Sequence, residues 1–296
     1  MDLMQRGAKA KFVRIIPVLA LSFVLALPLA LSGCAGVGDA TSALDNPDPP
    51  EKMFTDADAM LSSGDFENAA KKYEDLERNY PFSNDPQKPY ARKSLALAAF
   101  AYYKAESYDE AIASAHRYLS THAGTEDAPL AQHVLAMSYY DQMQDAQRDQ
   151  SITKNALTEL RTVVRLYPAS KYADQDRNRL RVAEDGLAAS EMNVGRFYLK
   201  KGQHLAAINR FKTVISEYQT TAHTEEALMR LTEAYMALGI QPEAQAAAAI
   251  LGHNFPNSQW YKDAYDLLQS DGLAPRENAG SAISQAWNGA VKTLGG

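Results

Sequence analysis

The sequence predicts an all-α chain, a solenoid of about five helical hairpins between residues 51 and 270. Two observations predict it. Apolar residues recur at three- and four-residue spacing through that span, and no stretch alternates as a strand would. A short frame of small, apolar or aromatic, and proline residues recurs five times in the same order, which is the mark of a repeat array. Its alanines, Ala69, Ala111, Ala156, Ala207 and Ala244, lie 42, 45, 51 and 37 residues apart.

The frame reads Gly64-x4-Ala69-x3-Tyr73-x7-Pro81 in the first hairpin and Ser107-Tyr-Asp-Glu-Ala111-x3-Ala115 in the second. The third is Ala156-x3-Leu160-x7-Pro168, the fourth Gly202-x4-Ala207-x3-Phe211, the fifth Gly239-x4-Ala244-x3-Ala248-x7-Pro256. A first-helix pattern precedes three of them: Ala98-Ala99-x2-Tyr102, Leu135-Ala136-x2-Tyr139 and Val194-Gly195-x2-Tyr198. Small residues let two helices approach, an aromatic fills the space to the next helix, and proline ends the second helix by forcing the preceding residue out of helical geometry. The pattern resembles the tetratricopeptide repeat, whose units are stable only as a stack. A generic bundle with chance alanines is the alternative; five matches in one order argue against it. Ser107-x-x-Glu110 reads as a capping box opening one helix. Residues 141–153, polar and without Gly or Pro, are the largest insertion, either a plain protruding loop or a partner-binding one.

Upstream of the solenoid the chain reads as an address. Residues 1–14 carry a net +3, and residues 15–31 are uncharged and apolar, the order of a secretory signal. Pro17 and Pro28 interrupt the run, which is near the lower length limit for a membrane span. It ends in Leu31-Ser32-Gly33-Cys34, which resembles the lipobox of bacterial lipoproteins. That resemblance implies cleavage after residue 33, an S-diacylglyceryl group on Cys34, and N-acylation (palmitate) of the new terminus. Several acyl chains anchor stably where one would not. Ala35 and Gly36 follow instead of Asp, which implies sorting to the periplasmic face of the outer membrane. Residues 34–50, with Pro47, Pro49 and Pro50, read as the lipidated cysteine and a flexible tether.

Composition excludes several functions. The single cysteine rules out an internal disulfide. The formal net charge is -6, so the chain after residue 14 carries -9, a poor balance for nucleic-acid binding. No phosphate loop, dinucleotide fingerprint or zinc spacing occurs. His116, His122, His133, His204, His223 and His253 are scattered without ligand pairs at i and i+4, so neither a metal nor any other cofactor is expected.

Taken together, lipobox, tether, five repeats, Asn79-Tyr80-Pro81-Phe82-Ser83, Ala101-Tyr102-Tyr103-Lys104, Arg165-Leu-Tyr-Pro-Ala-Ser-Lys-Tyr172, Val194-Gly195-Arg196-Phe197-Tyr198 and Ala207-Ile208-Asn209-Arg210 resemble the BamD family of the β-barrel assembly machinery over residues 34–270. The resemblance implies a non-catalytic scaffold on the outer membrane. Its implied partners are the periplasmic domains of BamA, other lipoproteins of the machinery and unfolded outer-membrane proteins. Carried onto matching positions, Tyr80, Pro81, Phe82, Tyr102 and Tyr103 are substrate-side candidates, and Tyr198 and Arg210 are BamA-side candidates. Each has a plainer reading. Tyr102 and Tyr198 hold frame positions that pack between helices, Pro81 terminates a helix, and Arg210 can simply pair with Glu191 or Glu217. Phe82 and Tyr103 lie outside the frame and are expected to be exposed. Two other roles share the anchor and repeats: a pilotin escorting a secretin, and a peptidoglycan-associated adaptor or enzyme subunit. Residues 271–296 place Ile283, Trp287 and Val291 at four-residue steps, with Leu294 beyond, as in a short amphipathic helix; a loose tail is the default for a terminus.

Overall fold

The computed structural model describes residues 47–81 and 89–294. Cys34, the signal segment and Phe82 lie outside the described residues. Within them there are twelve α-helices and no strand. Five hairpins follow one another: α1 (Pro50–Ser63) with α2 (Phe66–Asn79), α3 (Tyr90–Lys104) with α4 (Tyr108–His122), α5 (Ala128–Tyr140) with α6 (Ser151–Leu166), α7 (Ala173–Lys200) with α8 (His204–Glu217), and α9 (Thr224–Ala237) with α10 (Gln241–Asn254). Then come α11 (Gln259–Ser270), packed on α9 and α10, and α12 (Ala282–Leu294), packed on α8 and α10. From α1 to α11 each helix packs on the next, and the first helices of hairpins one to four also touch across hairpins, α1 to α3, α3 to α5 and α5 to α7. This is a tetratricopeptide-like solenoid.

The recurring frame explains the hairpins physically. Ala69, Ala111, Ala156, Ala207 and Ala244 are all fully buried, as are Tyr73, Leu160 and Phe211 one turn later. In the fourth hairpin the close approach leaves no room for a side chain at one position. A Cβ added at Gly195 of α7 would collide with the Phe211 ring of α8. Burying such a ring contributes roughly 2–3 kcal/mol, and here it depends on the missing side chain.

Turn geometry repeats as well. Gly64, Gly202 and Gly239, each five residues before a frame alanine, have φ of 86°, 71° and 71°. In the second hairpin the same place is held by Glu106 at φ 60°. Ser107, next in line, does open α4, but the expected capping box is not made: its ψ is 71°, and its side chain makes no cap bond. The tight turn ties the Ser107 amide to the Tyr102 carbonyl at 3.0 Å, which keeps the residue out of the extended geometry a capping hydroxyl needs. Ser258, at ψ 136°, does cap, accepting from the Trp260 amide.

Four of the five second helices end at an aromatic residue, α4 being followed by Ala123 instead. Tyr80, Tyr167, Tyr218 and Phe255 occupy the positions just after α2, α6, α8 and α10. Two of them reach back along the chain. Tyr80 Oη donates to the carbonyls of Pro47 and Asp48, both at 3.0 Å, and Tyr167 Oη donates to the carbonyl of Ala123 at 2.9 Å. The loop between α5 and α6 is shorter than the expected insertion, since α6 begins at Ser151. It is organised from within: Gln150 Nε2 donates to the carbonyls of Asp145 and Arg148 at 2.9 and 3.0 Å.

Gly195→Ala is expected to destabilise the protein by about 1–3 kcal/mol through overpacking, read as a lower urea midpoint. Gly186→Ala, on the same helix with nothing within 4 Å of the added carbon, should be neutral or stabilising by roughly 0.5–1 kcal/mol. Equal effects would remove the close-approach explanation. A second expectation concerns Glu106→Gly, which relieves a left-handed residue and should raise the thermal midpoint slightly, by the equivalent of about 0.5–1 kcal/mol. A fall in the midpoint would show that the Glu106 side chain contributes more than its backbone conformation costs.

Candidate functional site

The two candidates in the fourth hairpin come together. Tyr198, near the end of α7, and Arg210, in the middle of α8, line one shallow recess of about 220 Å³ with Ala206, Asn209 and Thr213. Tyr198 is half-buried against the main core and meets Phe197 edge-on at 5.7 Å. Arg210 is exposed, and its Nη1 donates to Glu191 Oε2 at 3.2 Å. Pairing with Glu191, the plainer of its two readings, is therefore observed. An exposed pair of this kind contributes about 0–1 kcal/mol, so it orients the guanidinium without locking it. Beside the recess stand the two most exposed large apolar side chains among the described residues, Phe197 and Leu205, at 58% and 66% exposure, one on each side of the α7–α8 turn. Lys201 Nζ sits 5.8 Å from the Phe197 ring centre.

The substrate-side candidates do not form one site. Tyr80 packs beside Met53, Leu76 and Ala91, at the start of α3. Tyr102 and Tyr103 lie at the other end of that helix, roughly 16 Å away along its axis. Tyr102 is buried, and its hydroxyl donates to Glu74 Oε2 at 2.9 Å. Arg117 and Ser114 donate to the other oxygen of that carboxylate, at 2.7 and 3.2 Å. Burial, followed by the hydrogen bond to Glu74 and its charge, pushes the Tyr102 phenol up to about 12. Tyr103 departs from its expected exposure. It is half-buried, its hydroxyl donates to Asp141 Oδ2 at 2.7 Å, and burial and then Asp141 raise its pKa well above the ordinary phenol value. The reason is the next hairpin, whose end at Asp141 closes over it. Pro81 follows the end of α2, where a terminator belongs.

Several residues with clear structural work were not singled out as candidates from the sequence. Asp176 of α7 is fully buried; it accepts from Arg179 at 3.1 Å, and its other oxygen is 2.7 Å from His133 Nδ1 of α5. Tyr172 stacks on the His133 ring at 4.3 Å. Arg196 of α7 forks onto Glu226 of α9, with Nε donating at 2.9 Å and Nη2 donating to the second oxygen. Arg230 donates to Glu226 at 3.3 Å and to Glu233 at 2.8 Å, and lies 5.4 Å from the Trp260 ring of α11. Arg92 of α3 reaches Glu126 and Asp127 at 3.2 and 3.3 Å. Arg179 with Asp176, and Arg230 with Glu226 and Glu233, are neighbours within one helix; the others join elements distant in sequence, and nothing local to either partner announces the other. Phe197 and Leu205 were legible in principle, as large apolar residues off the frame beside the polar turn Lys200-Lys201-Gly202-Gln203.

Among the described residues no cluster of three or more His, Cys, Asp or Glu side chains is placed to hold a metal, and no helix is long and apolar enough to cross a membrane. A family of outer membrane lipoproteins, YfiO, matches residues 46–251. A protein of Caulobacter vibrioides, named outer membrane protein assembly factor BamD, is 39% identical over 259 residues, 88% of this chain and 83% of the relative. The chain belongs to the BamD family. A second relative of that name, from Rickettsia prowazekii, is 34% identical over 250 residues, 84% of this chain and 96% of the relative. Among solved structures, a tetratricopeptide protein of Thermus thermophilus aligns over 74% of this chain and 98% of its own at 18% identity and a TM-score of 0.33. The type IV pilus biogenesis factor PilW aligns over 73% and 98% at 15% identity and a TM-score of 0.24. Scores that low add nothing to the helix pairing already described. The family match covers all five hairpins except the last residues of α10, so the recess and the polar contacts between first helices up to α9 fall inside it.

Glu226 gives a pH signature to the fourth and fifth hairpins. Burial raises its carboxyl, but the hydrogen bonds and charges of Arg196 and Arg230 outweigh that, and it titrates below its ordinary value near 4.5. A depressed carboxyl contributes stability that is complete above the ordinary value and lost as pH falls through the folded one. Glu226→Gln should therefore be less stable than the natural chain at pH 7, and the gap in urea midpoint should narrow between about pH 5 and pH 3. A gap independent of pH would mean that the ion pairs contribute through packing alone.

Proposed function

We propose that this chain is an assembly factor for outer-membrane β-barrel proteins, a non-catalytic scaffold held at the periplasmic face of the outer membrane by lipid on Cys34. The similarity to an assembly factor across 88% of the chain carries this reading. The fold supports it: a stacked array whose first helices are tied to one another presents fixed positions along its length, which suits holding partners in register. On this reading Tyr198, Arg210 and the recess between them face the periplasmic domains of BamA, where an arginine beside an aromatic makes a suitable anchor. Unfolded outer-membrane proteins engage the first two hairpins. Tyr80, Tyr102 and Tyr103 contribute there chiefly by shaping that surface, since their hydroxyls are committed to Pro47 and Asp48, to Glu74 and to Asp141.

The test is a mild-detergent capture from the native membrane with a C-terminally tagged chain, read by mass spectrometry. A β-barrel protein with periplasmic repeat domains is expected in near-stoichiometric yield. Arg210→Ala should reduce that yield roughly tenfold, the loss of about 1.4 kcal/mol at the interface, while leaving the thermal midpoint unchanged. Recovery of a secretin, or of peptidoglycan enzymes, with no such barrel would overturn the assembly reading.

A further inference from the structure

The last helix lies beyond both the hairpins and the residues matched by the family. Its attachment is specific. The amides of Ala282 and Ile283 donate to the two oxygens of Glu243, on the first turn of α10, at 2.9 and 3.1 Å. A carboxylate there satisfies the free amides of the new helix and complements its dipole. Further along, Gln219, just past the end of α8, donates from Nε2 to the Trp287 carbonyl at 2.8 Å. Ile283 is fully buried and joins the main core. The lead-in is fastened as well: Gln245 Nε2 donates to the Ala274 carbonyl at 2.7 Å, and the Arg276 amide donates to the Gln245 carbonyl at 3.2 Å. The helix thus crosses from the first turn of α10 to the loop after α8, bridging two helices that belong to different hairpins.

We infer that α12 is a releasable strap that sets the position of α8, and with it the Tyr198–Arg210 recess, so that seating of the tail regulates partner docking. The inference rests on reading that recess as a partner surface. α8 packs against α7 and α9, and α12 adds a contact to α10 that the hairpins themselves do not supply. The strap has two states because a helix of 13 residues is marginal alone in water. Unseated, it loses its helix; seated, it is held by Ile283 and Ala290, which are buried, by Ala286 and Trp287 packed against the core, and by a few polar contacts. A partner that prefers the seated arrangement of α8 and a tail that supplies it are then linked.

The experiment is hydrogen–deuterium exchange on the full-length chain, natural and Ile283→Glu. Exchange in residues 282–294 should rise roughly tenfold or more, and exchange in residues 204–217 should rise severalfold with it, while residues 66–79 stay unchanged. Partner capture should fall in parallel. If the tail is freed and α8 exchanges as before, the strap does not position α8 and the inference fails. Should Ile283→Glu loosen the whole array, Glu243→Gln, which keeps the size of the side chain and removes its charge, supplies the same comparison: coupled loosening of α12 and α8 supports the strap, and loosening of α12 alone overturns it. The exchange readout needs no partner. A natural chain that captures no barrel protein would overturn the proposed function, while the coupling of α12 to α8 would still be decided.

Discussion

The structure depends on one constraint, the close approach of the two helices within each hairpin. It is made possible by residues with almost no side chain. Ala69, Ala111, Ala156, Ala207 and Ala244 are all fully buried, and at Gly195 even an alanine would not fit beneath Phe211. Once two helices lie that close, large side chains such as Tyr73, Leu160 and Phe211 are left to fill the space one turn further on. Apolar surface then remains that a single hairpin cannot cover, so the next hairpin must stack on it. The direction and spacing of the array follow from this packing, and every later feature, including the recess at α7 and α8, takes its place from it.

Apolar packing of this kind is tolerant, and a tolerant stack needs something directional to hold its angles. The polar contacts between successive first helices meet that need. Tyr103 with Asp141, Arg92 with Glu126 and Asp127, His133 with Asp176, Arg196 with Glu226, and Arg230 over Trp260 run from α3 to α11. Half-buried ion pairs add little net stability, because desolvation offsets much of their attraction. Their geometry is demanding, and Asp176 and Glu226 each hold two partners at once, one of them on a neighbouring first helix. We read them as fixing how one hairpin sits on the next while the alanines and aromatics hold the hairpins together.

Much of the fold was legible because the close-packing rule is local. A small residue and an apolar or aromatic one four residues on lie within one helix, and their repetition is visible without knowing any neighbour. Conformation at the hairpin turns was partly legible in the same way through Gly64, Gly202 and Gly239. Glu106 broke the rule while keeping the geometry, since neighbouring packing decided the turn and not the residue in it. The candidate site was read less well. Tyr103 looked exposed because Asp141, which holds it, lies 38 residues further along. Tyr80 looked available because the carbonyls it binds lie in a proline-rich stretch read as tether. The tail was left open between a loose end and a helix, because what decides it is Glu243, 39 and 40 residues away from the amides it caps. In each case the missing term was a polar contact between elements distant in sequence, which periodicity does not encode.

The division between committed and uncommitted side chains also bears on where binding energy for a large partner can come from. Tyr80, Tyr102 and Tyr103 spend their hydroxyls inside the chain, so a partner meets at most their ring edges. Around α7 and α8 the balance is reversed: Phe197 and Leu205 are mostly exposed, and Arg210 is held by a single weak pair. A recess of about 220 Å³ holds no more than one or two side chains of a partner, far short of the roughly 800 Å² per partner that a stable protein interface buries. The recess therefore serves as an anchor within a wider footprint, which must extend over the α7–α8 turn, where the exposed apolar surface is. Such a footprint rests on the ends of two helices, and its affinity depends on how firmly those ends are placed. Firm placement of α8 comes from α7 through Gly195 and Phe211 on one side, and on the other from whatever is laid against it.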